Sequence, residues 1–405
     1  MIAIPSKNAR NGKGAALNRV CSIFSQLLQI IPRLEFAATV KKYNGERHSR
    51  GFTCWGQFVA MMFCQLAHAH SLREICGGLA GCEGKLKHLG LGDAPCRSTL
   101  AYANEHRPWE VYRDLFYSVL QRCQGEAGQR GHGFRFKNKL LSMDASTIGL
   151  CVSMYDWAHF QRAKGAVKLH LLLDHDGFLP KYAVITTGKT HEIQIARRII
   201  FEPGTIVVFD QGYTDAGWWA ALNQQGVYFV SRLRADLKYQ VERDMAIPPA
   251  HGHLRKDQQI RILHWRGKSI SGLRRIEVWV EEKQQMMVLL TNHPRLAAST
   301  VAEIYRQRWQ IETFFKSLKQ LLKVKTFVGT NQSAVMTQLW VALIVMLLLR
   351  WLKLKARYGW SLSNLIALLR HQLFVYRDLW IWLNDPFQGP PGLSESEQMS
   401  LFAAG

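Results

Sequence analysis

The fifteen residues from Tyr305 to Lys319, YRQRWQIETFFKSLK, constrain this chain more than any other stretch. Read as a helix at about 100° per residue, they gather Tyr305, Arg308, Glu312, Lys316, Lys319 and, just beyond, Lys323 into one narrow stripe. A second stripe, about a quarter-turn away, collects Ile304, Ile311, Phe315, Leu318 and Leu322. Such a helix docks on a core and carries one acid among cations at the edge of a surface. Neighbouring positive charge favours the ionised form of a carboxylate. The stripe therefore suits a metal-ligating acid flanked by phosphate-binding cations. It also suits a solvated face, with i,i+4 pairs such as Glu312 to Lys316 worth only about 0.2–0.5 kcal/mol. Charge pattern alone leaves both readings open.

Composition narrows the class of partner. The chain has 52 Lys and Arg against 30 Asp and Glu, a formal net charge of +22 over 405 residues. Only 6 of the basic and 4 of the acidic residues lie beyond position 330, so the excess belongs to the first two-thirds and not to a basic tail. A polyanion is the natural partner, and nucleic acid leads because aromatic residues are mixed with the basic ones. With 48% hydrophobic residues a sizeable core is affordable, and the length suggests two to four domains.

The eight cysteines contain no C-x-x-C pair and mostly sit among apolar residues, as Cys54 and Cys64 do, which suits reduced, buried thiols in a cytoplasmic protein. His68/His70 and His251/His253 lack companion ligands, so no zinc site is expected. The N-terminal residues have no apolar h-region of a signal peptide. The run from Leu339 to Leu349 is too short for a membrane span before Arg350, Lys353 and Lys355, and reads as a buried core helix.

Residues 20–122 read mainly as helices. One lies around 53–67, a second is opened by a capping box at Ser71 and Glu74, and a third runs from Arg97 to Arg107. Two short helices around a turn are compatible with a helix-turn-helix reader and equally with an ordinary bundle. Gln121–Lys137 is Gly-rich and polar, the expected linker. Strands are expected over Lys139–Ile148, Val167–Leu173, Leu179–Thr187, Thr205–Phe209 and Val227–Ser231, with helices at His191–Ile200 and Asp215–Gln224. This is an α/β pattern with a mixed sheet. Basic segments and alternating strands follow, including Arg275–Val280 and Met286–Leu290. Helices at 333–356 and 361–381 and a loose tail close the chain.

Two acids end apolar β-type runs: Asp144 in LLSMDAST and Asp210 in TIVVFDQGY. A charge beside a buried strand is costly unless paired or metal-bound. Metal-assisted phosphoryl transfer needs a few such carboxylates on rigid elements, although each acid alone also suits a turn or helix cap. Asp174 and Asp176, before Gly177, read as turn residues, and Asp215 as a helix start.

The spacing Tyr305-x2-Arg308-x3-Glu312-x6-Lys319 resembles the signature of bacterial DDE transposases of the insertion-sequence-four family. Asp144 and Asp210, the latter in Asp-x-Gly-Tyr, resemble that family's other two acids. SLREI at 71–75, RSTLAYANEHRP at 97–108, LLTN at 289–292 and FVGT at 327–330 extend the likeness over about residues 20–380. The resemblance implies an α/β, RNase H-like mixed-sheet core with a β-rich insertion, preceded by a helical DNA-binding domain and followed by C-terminal helices. The expected layout is a DNA-end-binding domain at 1–130, core at 131–231, insertion at 232–300, a catalytic helix closing the core at 301–330, and a helical region with flexible tail at 331–405. The gap of 102 positions between Asp210 and Glu312 requires such an insertion.

By the same resemblance, Asp144, Asp210 and Glu312 would hold two Mg²⁺ ions, with Mn²⁺ able to substitute, and would cut and rejoin double-stranded DNA. The DNA would be the element's terminal inverted repeats and a target, engaged by a homodimer that is cytoplasmic and nucleoid-associated when bound. Tyr305, Arg308 and Lys319 match positions that grip phosphates. Lys316 and Lys323 join them by helical geometry, and Arg232, Arg234 and Lys238 at the start of the insertion are expected on backbone phosphates. Trp265 and Trp279 are candidates for holding a flipped base, or are core. His191 and Glu192 read either as a pair supporting the catalytic acids from behind or as a plain helix start. An end-binding repressor without cleavage, and a structure-specific nuclease on the same core, remain the rival readings.

Overall fold

Polar caps start the helices of the first third. Thr53 accepts the Gly56 N–H, and Ser71 accepts that of Glu74, whose carboxylate in turn takes the His70 N–H at 2.9 Å. The computed structural model describes residues 21–387, apart from 48, 83, 128–130, 151–156, 158, 162–163, 248–251, 266–267 and 323–326. Six helices come first: α1 Ile23–Gln29, α2 Arg33–Lys42, α3 Cys54–Ala67, α4 Leu72–Ala80, α5 Arg97–His106 and α6 Glu110–Ala127. The expected linker therefore begins late. Residues 121–127 continue α6, because Gln, Arg, Glu and Ala are good helix formers and outweigh the single Gly125. The seven cysteines at described positions are all free thiols.

One ten-stranded sheet holds the middle of the chain: β1 Leu140–Leu150, β2 His159–Gln161, β3 Lys164–Asp174, β4 Pro180–Thr187, β5 Ile206–Val208, β6 Tyr228–Arg232, β7 Tyr239–Asp244, β8 Leu254–Trp265, β9 Lys268–Val280 and β10 Gln285–Thr291. β3 pairs antiparallel with β1, β2 and β4, while β1, β5 and β6 run parallel. The two parallel steps are crossed by α7 Glu192–Ala196, shorter than expected, and α8 Ala216–Gln224, capped by Asp215. Strands β7 to β10 do not build a sheet of their own. β10 pairs antiparallel with β6, and β9, β8 and β7 follow outward. That covers the edge β6 would otherwise leave open.

After β10 come α9 Ala298–Gln307, α10 Trp309–Leu322, α11 Gln332–Lys355, α12 Leu362–Gln372 and α13 Leu379–Asn384. The expected helix at 361–381 is thus two, the second restarted by Asp378, which accepts the N–H groups of Trp380 and Ile381. α11 is long and apolar enough to cross a membrane, but 94% of its most apolar stretch is buried inside the protein. Its length passes the test that the shorter apolar run failed; packing identifies it as a core helix. It joins residues of α1 through α6 to α10, α12 and α13 and to one face of β1, β3 and β4 in a single hydrophobic core. A second core, with Trp218, Trp219 and Phe229, lies across the sheet under α7 and α8. The expected end-binding segment therefore shares its core with the C-terminal helices. The expected loose tail falls mostly outside the described residues.

Candidate active site

The parallel pairing of β1 with β5 sets the first two acids side by side. Leu140 faces Ile206 and Ser142 faces Val208, an offset of 66 positions, and the same offset separates Asp144 from Asp210. Continued two residues beyond the last pair, the register sets Asp144, inside β1, beside Asp210, just past the carboxyl end of β5. Ligand sites in open α/β sheets form at such ends. Asp210 caps a short turn, Gln211–Tyr213, and its Oδ1 accepts the Gly212 N–H at 2.9 Å. A Cβ on Gly212 would lie 3.0 Å from that oxygen, which accounts for the glycine of Asp-x-Gly-Tyr.

Glu312 comes from α10, whose Ile311, Phe314, Phe315 and Leu318 are buried. The single helix expected over 305–319 is instead α9 and α10, with Arg308 in the turn between them. The break changes what the cationic stripe does. Tyr305 is only 8% exposed and packs in a core with Leu140, Ile206 and Val208. Arg308, with its Cζ 5.5 Å from the Tyr305 ring centroid, turns inward. One of its nitrogens lies 3.5 Å from Asp144 Oδ2 and another bonds to Glu312 Oε1.

Burial pushes the Asp144 carboxyl up to about 7; Arg308 opposes the shift, and the charges of Asp210 and Glu312 add to it. Burial works against the Arg308 charge, but Tyr305, Asp144 and Glu312 outweigh it and raise its pKa. Among the described residues, no three His, Cys, Asp or Glu side chains stand together as a ready metal cage. Arg308 is the cation that the Asp144–Glu312 pair holds here.

An open cleft of about 470 Å³ is lined by Asp144, Ser146, Glu312, Phe315, Lys316 and Lys319. Lys316 and Lys319 therefore share a wall with two of the acids, while Lys323 lies outside the described residues. Arg232 ends β6 and lies near enough to Tyr305 to lower its pKa, which burial raises overall. Arg234 lines a different cleft, beside Gly212. Lys238 is exposed and lines neither. Trp279 is half-buried in β9, and the Trp265 side chain lies outside the described set. His191 and Glu192 do open a helix, and Glu192 pairs with Lys168 at 2.8 Å.

The family described as transposase DDE domain matches residues 135–348. The chain belongs to this transposase family. A domain of unknown function matches residues 20–92 of the transposase. A putative transposase of Sinorhizobium fredii is 30% identical over 311 residues, covering 76% of this chain and 85% of the relative. A probable insertion-sequence transposase of Geobacillus stearothermophilus is 25% identical over 256 residues, covering 63% and 67%. The piggyBac transposase, solved as a synaptic complex with hairpin DNA, gives a TM-score of 0.42 at 11% identity, covering 93% of this chain and 82% of that one.

Three features of the transposase site escaped the sequence reading. Tyr213 is buried, and burial raises its pKa well above the usual value, with the charges of Asp144 and Asp210 adding to the shift. Ser142 Oγ and His175 Nε2 share a 2.7 Å hydrogen bond, and His175 Nδ1 lies 3.4 Å from Gln307 Oε1. This buried chain ties β1, two residues before Asp144, to the residue before Arg308. Trp309, 60% exposed, follows Arg308 directly, with Lys283 Nζ 6.0 Å from its ring centroid. Asp-x-Gly-Tyr was a visible sign of the first; the other two depend on contacts far apart in sequence.

Proposed function

We propose that this transposase cuts DNA at the terminal repeats of an insertion element and joins the freed 3′ ends to target DNA, with Asp144, Asp210 and Glu312 as its catalytic carboxylates. The observation that carries this reading is the shared register offset of Asp144 and Asp210, with Glu312 facing Asp144 across a cleft that also holds Lys316 and Lys319. The order β4-β3-β1-β5-β6, three antiparallel strands followed by two parallel steps, supports reading the core as RNase H-like.

Three carboxylates are hard oxygen donors of the kind Mg²⁺ and Mn²⁺ take. Asp144 and Glu312, joined through one arginine, offer two such donors, and Asp210, just past the neighbouring strand, would complete the set that holds such an ion. Two bound ions would activate the attacking oxygen and stabilise the leaving one. The protein's own side chains do the rest. Arg308 balances the acids before DNA arrives and offers its fork to a phosphate afterwards. Lys316 and Lys319 attract and orient the backbone beside the scissile bond. Tyr305, from within the core, fixes the turn that aims Arg308. We read the protein as acting on DNA in the bacterial cytoplasm, as a homodimer with element ends bound by its N-terminal helices; strands β7 to β10 form the insertion between the second and third acids.

The deciding experiment incubates purified protein with DNA carrying the gene's own flanking ends, with and without Mg²⁺, beside Glu312→Gln. Metal-dependent nicks at the element boundary, lost in the variant while binding persists, are expected. Binding without cleavage by the wild type would favour an end-binding repressor, and cutting indifferent to the ends a general nuclease.

A further inference from the structure

Past Asp210, Gly212 opens onto a second cleft of about 530 Å³, on whose walls stand His191, Gln194, Arg197, Thr214 and Arg234. These side chains come from separate segments: the start and end of α7, the turn after Asp210, and the residues after β6. Each arginine is held by an acid. Arg197 pairs with Asp215 at 2.7 Å and Arg234 with Asp236 at 2.6 Å, yet the side chains stay 55% and 41% exposed. Asp236 takes both Nε and Nη2 of Arg234, which fixes the plane of the guanidinium. A guanidinium carries five donors, more than one carboxylate can engage.

His191 adds an imidazole to the same wall. Its side chain is 61% exposed, with Nδ1 3.4 Å from the Ile193 N and 3.7 Å from Glu192 Oε2. The acid on the cleft wall, Asp215, is itself buried and engaged, accepting the Trp218 N–H and facing Arg197. What the cleft presents is therefore two exposed guanidinium groups and an imidazole, each beside a carboxylate, and guanidinium groups of this kind recognise phosphate oxygens. Gly212 and Thr214 of this cleft follow Asp210 in the chain, whereas Asp144 and Glu312 line the Lys316–Lys319 cleft.

Resting on the transposase reading, we propose that the His191–Arg197–Arg234 cleft is a second DNA-backbone site, holding the strand where it leaves the catalytic carboxylates past Asp210. It would bind phosphodiester oxygens and read no bases, so its role is to fix the register of the scissile bond between two anchored stretches.

The test measures binding of the full-length protein to a duplex carrying the element end, by fluorescence anisotropy across a salt series. Arg197→Gln alone is a poor probe, because it strips a buried Asp215 of its counter-charge. The double variant His191→Gln/Arg234→Gln leaves the Arg197–Asp215 pair in place and takes Arg234 from Asp236, which is more than half exposed. It is expected to lower the slope of log affinity against log salt by about 1–2, the value of one or two lost phosphate contacts. Single methylphosphonate substitutions should then weaken the wild type on both sides of the scissile bond, and the double variant on the Lys316–Lys319 side only. A double variant with the wild-type slope and the wild-type methylphosphonate profile would overturn the proposal. Wild-type protein that binds no DNA, or that is indifferent to Lys316→Gln/Lys319→Gln as well, would overturn the underlying reading with it.

Discussion

Asp144 carries an electrostatic burden that stability measurements can read. Its carboxyl ionises near 7 in the folded protein against an ordinary 3.8, chiefly because it is buried. Between those values the folded chain binds a proton that the unfolded chain does not, so stability falls as pH rises through the interval. Asp144→Asn removes the titration. The variant is expected to be more stable than wild type at pH 8, by up to about 4 kcal/mol before any adjustment of the site, with the gap narrowing towards pH 5. Urea unfolding of both proteins at the two pH values checks this; an unchanged gap would show that Asp144 is not the group responsible.

Arg308 bears the opposite charge in the same pocket. Without it Asp144 and Glu312 lose their shared cation, and Arg308→Ala is expected to cost about 2–4 kcal/mol in the absence of divalent ions. Millimolar Mn²⁺ should restore more of the melting temperature in that variant than it adds to wild type. The acids were legible in the sequence because a charge closing an apolar β run is costly without a partner. The burial of Tyr305 was not, because a stripe drawn on one helix does not show which side of it other elements cover.

Single elements show a similar division between what periodicity reveals and what pairing decides. The helices were legible in caps and spacing, as at Ser71 and Asp215, and the strands in their β-branched runs. The position of β10 beside β6 was not, because strand order depends on edges that no local pattern describes. The Gln211–Tyr213 turn is a small element that closes tightly on the Asp210 carboxylate. Gly212→Ala would place a methyl group 3.0 Å from Asp210 Oδ1 and push that carboxylate off its cap. Cleavage of an element-end duplex should fall at least about tenfold, the effect of a shift of about 1.4 kcal/mol at the transition state. The melting temperature should barely move, since the turn is local.

Strands β8 and β9 are held by a different device. Arg274 and Asp257, 7% and 5% exposed, pair at 2.5 Å, and Arg274 also donates to the His293 and Leu296 carbonyls ahead of α9. Asp257→Asn leaves that arginine buried without a full counter-charge and is expected to cost about 3–5 kcal/mol by chemical denaturation.

At the scale of the whole molecule, α11 decides how the chain divides. Read from composition, the polar stretch near residue 130 looked like a boundary between a helical end-binding unit and a catalytic core. The hydrophobic core crosses it: Phe58, Leu115 and Phe116 belong to the same cluster as Ile148, Leu169, Phe314 and Trp340. The first described residues are also tied to the last helices, with the Ile23 and Phe24 N–H groups donating to the Val375 and Leu373 carbonyls. A helix apolar on nearly every side has no face to offer water. Removing α1 to α6 would uncover the side of α11 they now bury, at roughly 25 cal/mol for each Å² of apolar surface exposed. A fragment spanning residues 131–405 is therefore expected to aggregate or to bind a hydrophobic dye strongly. The intact chain should unfold in one transition by both fluorescence and circular dichroism. A soluble, dye-silent fragment with native-like circular dichroism would show that the two parts are separable and that α11 is covered by something other than the N-terminal helices.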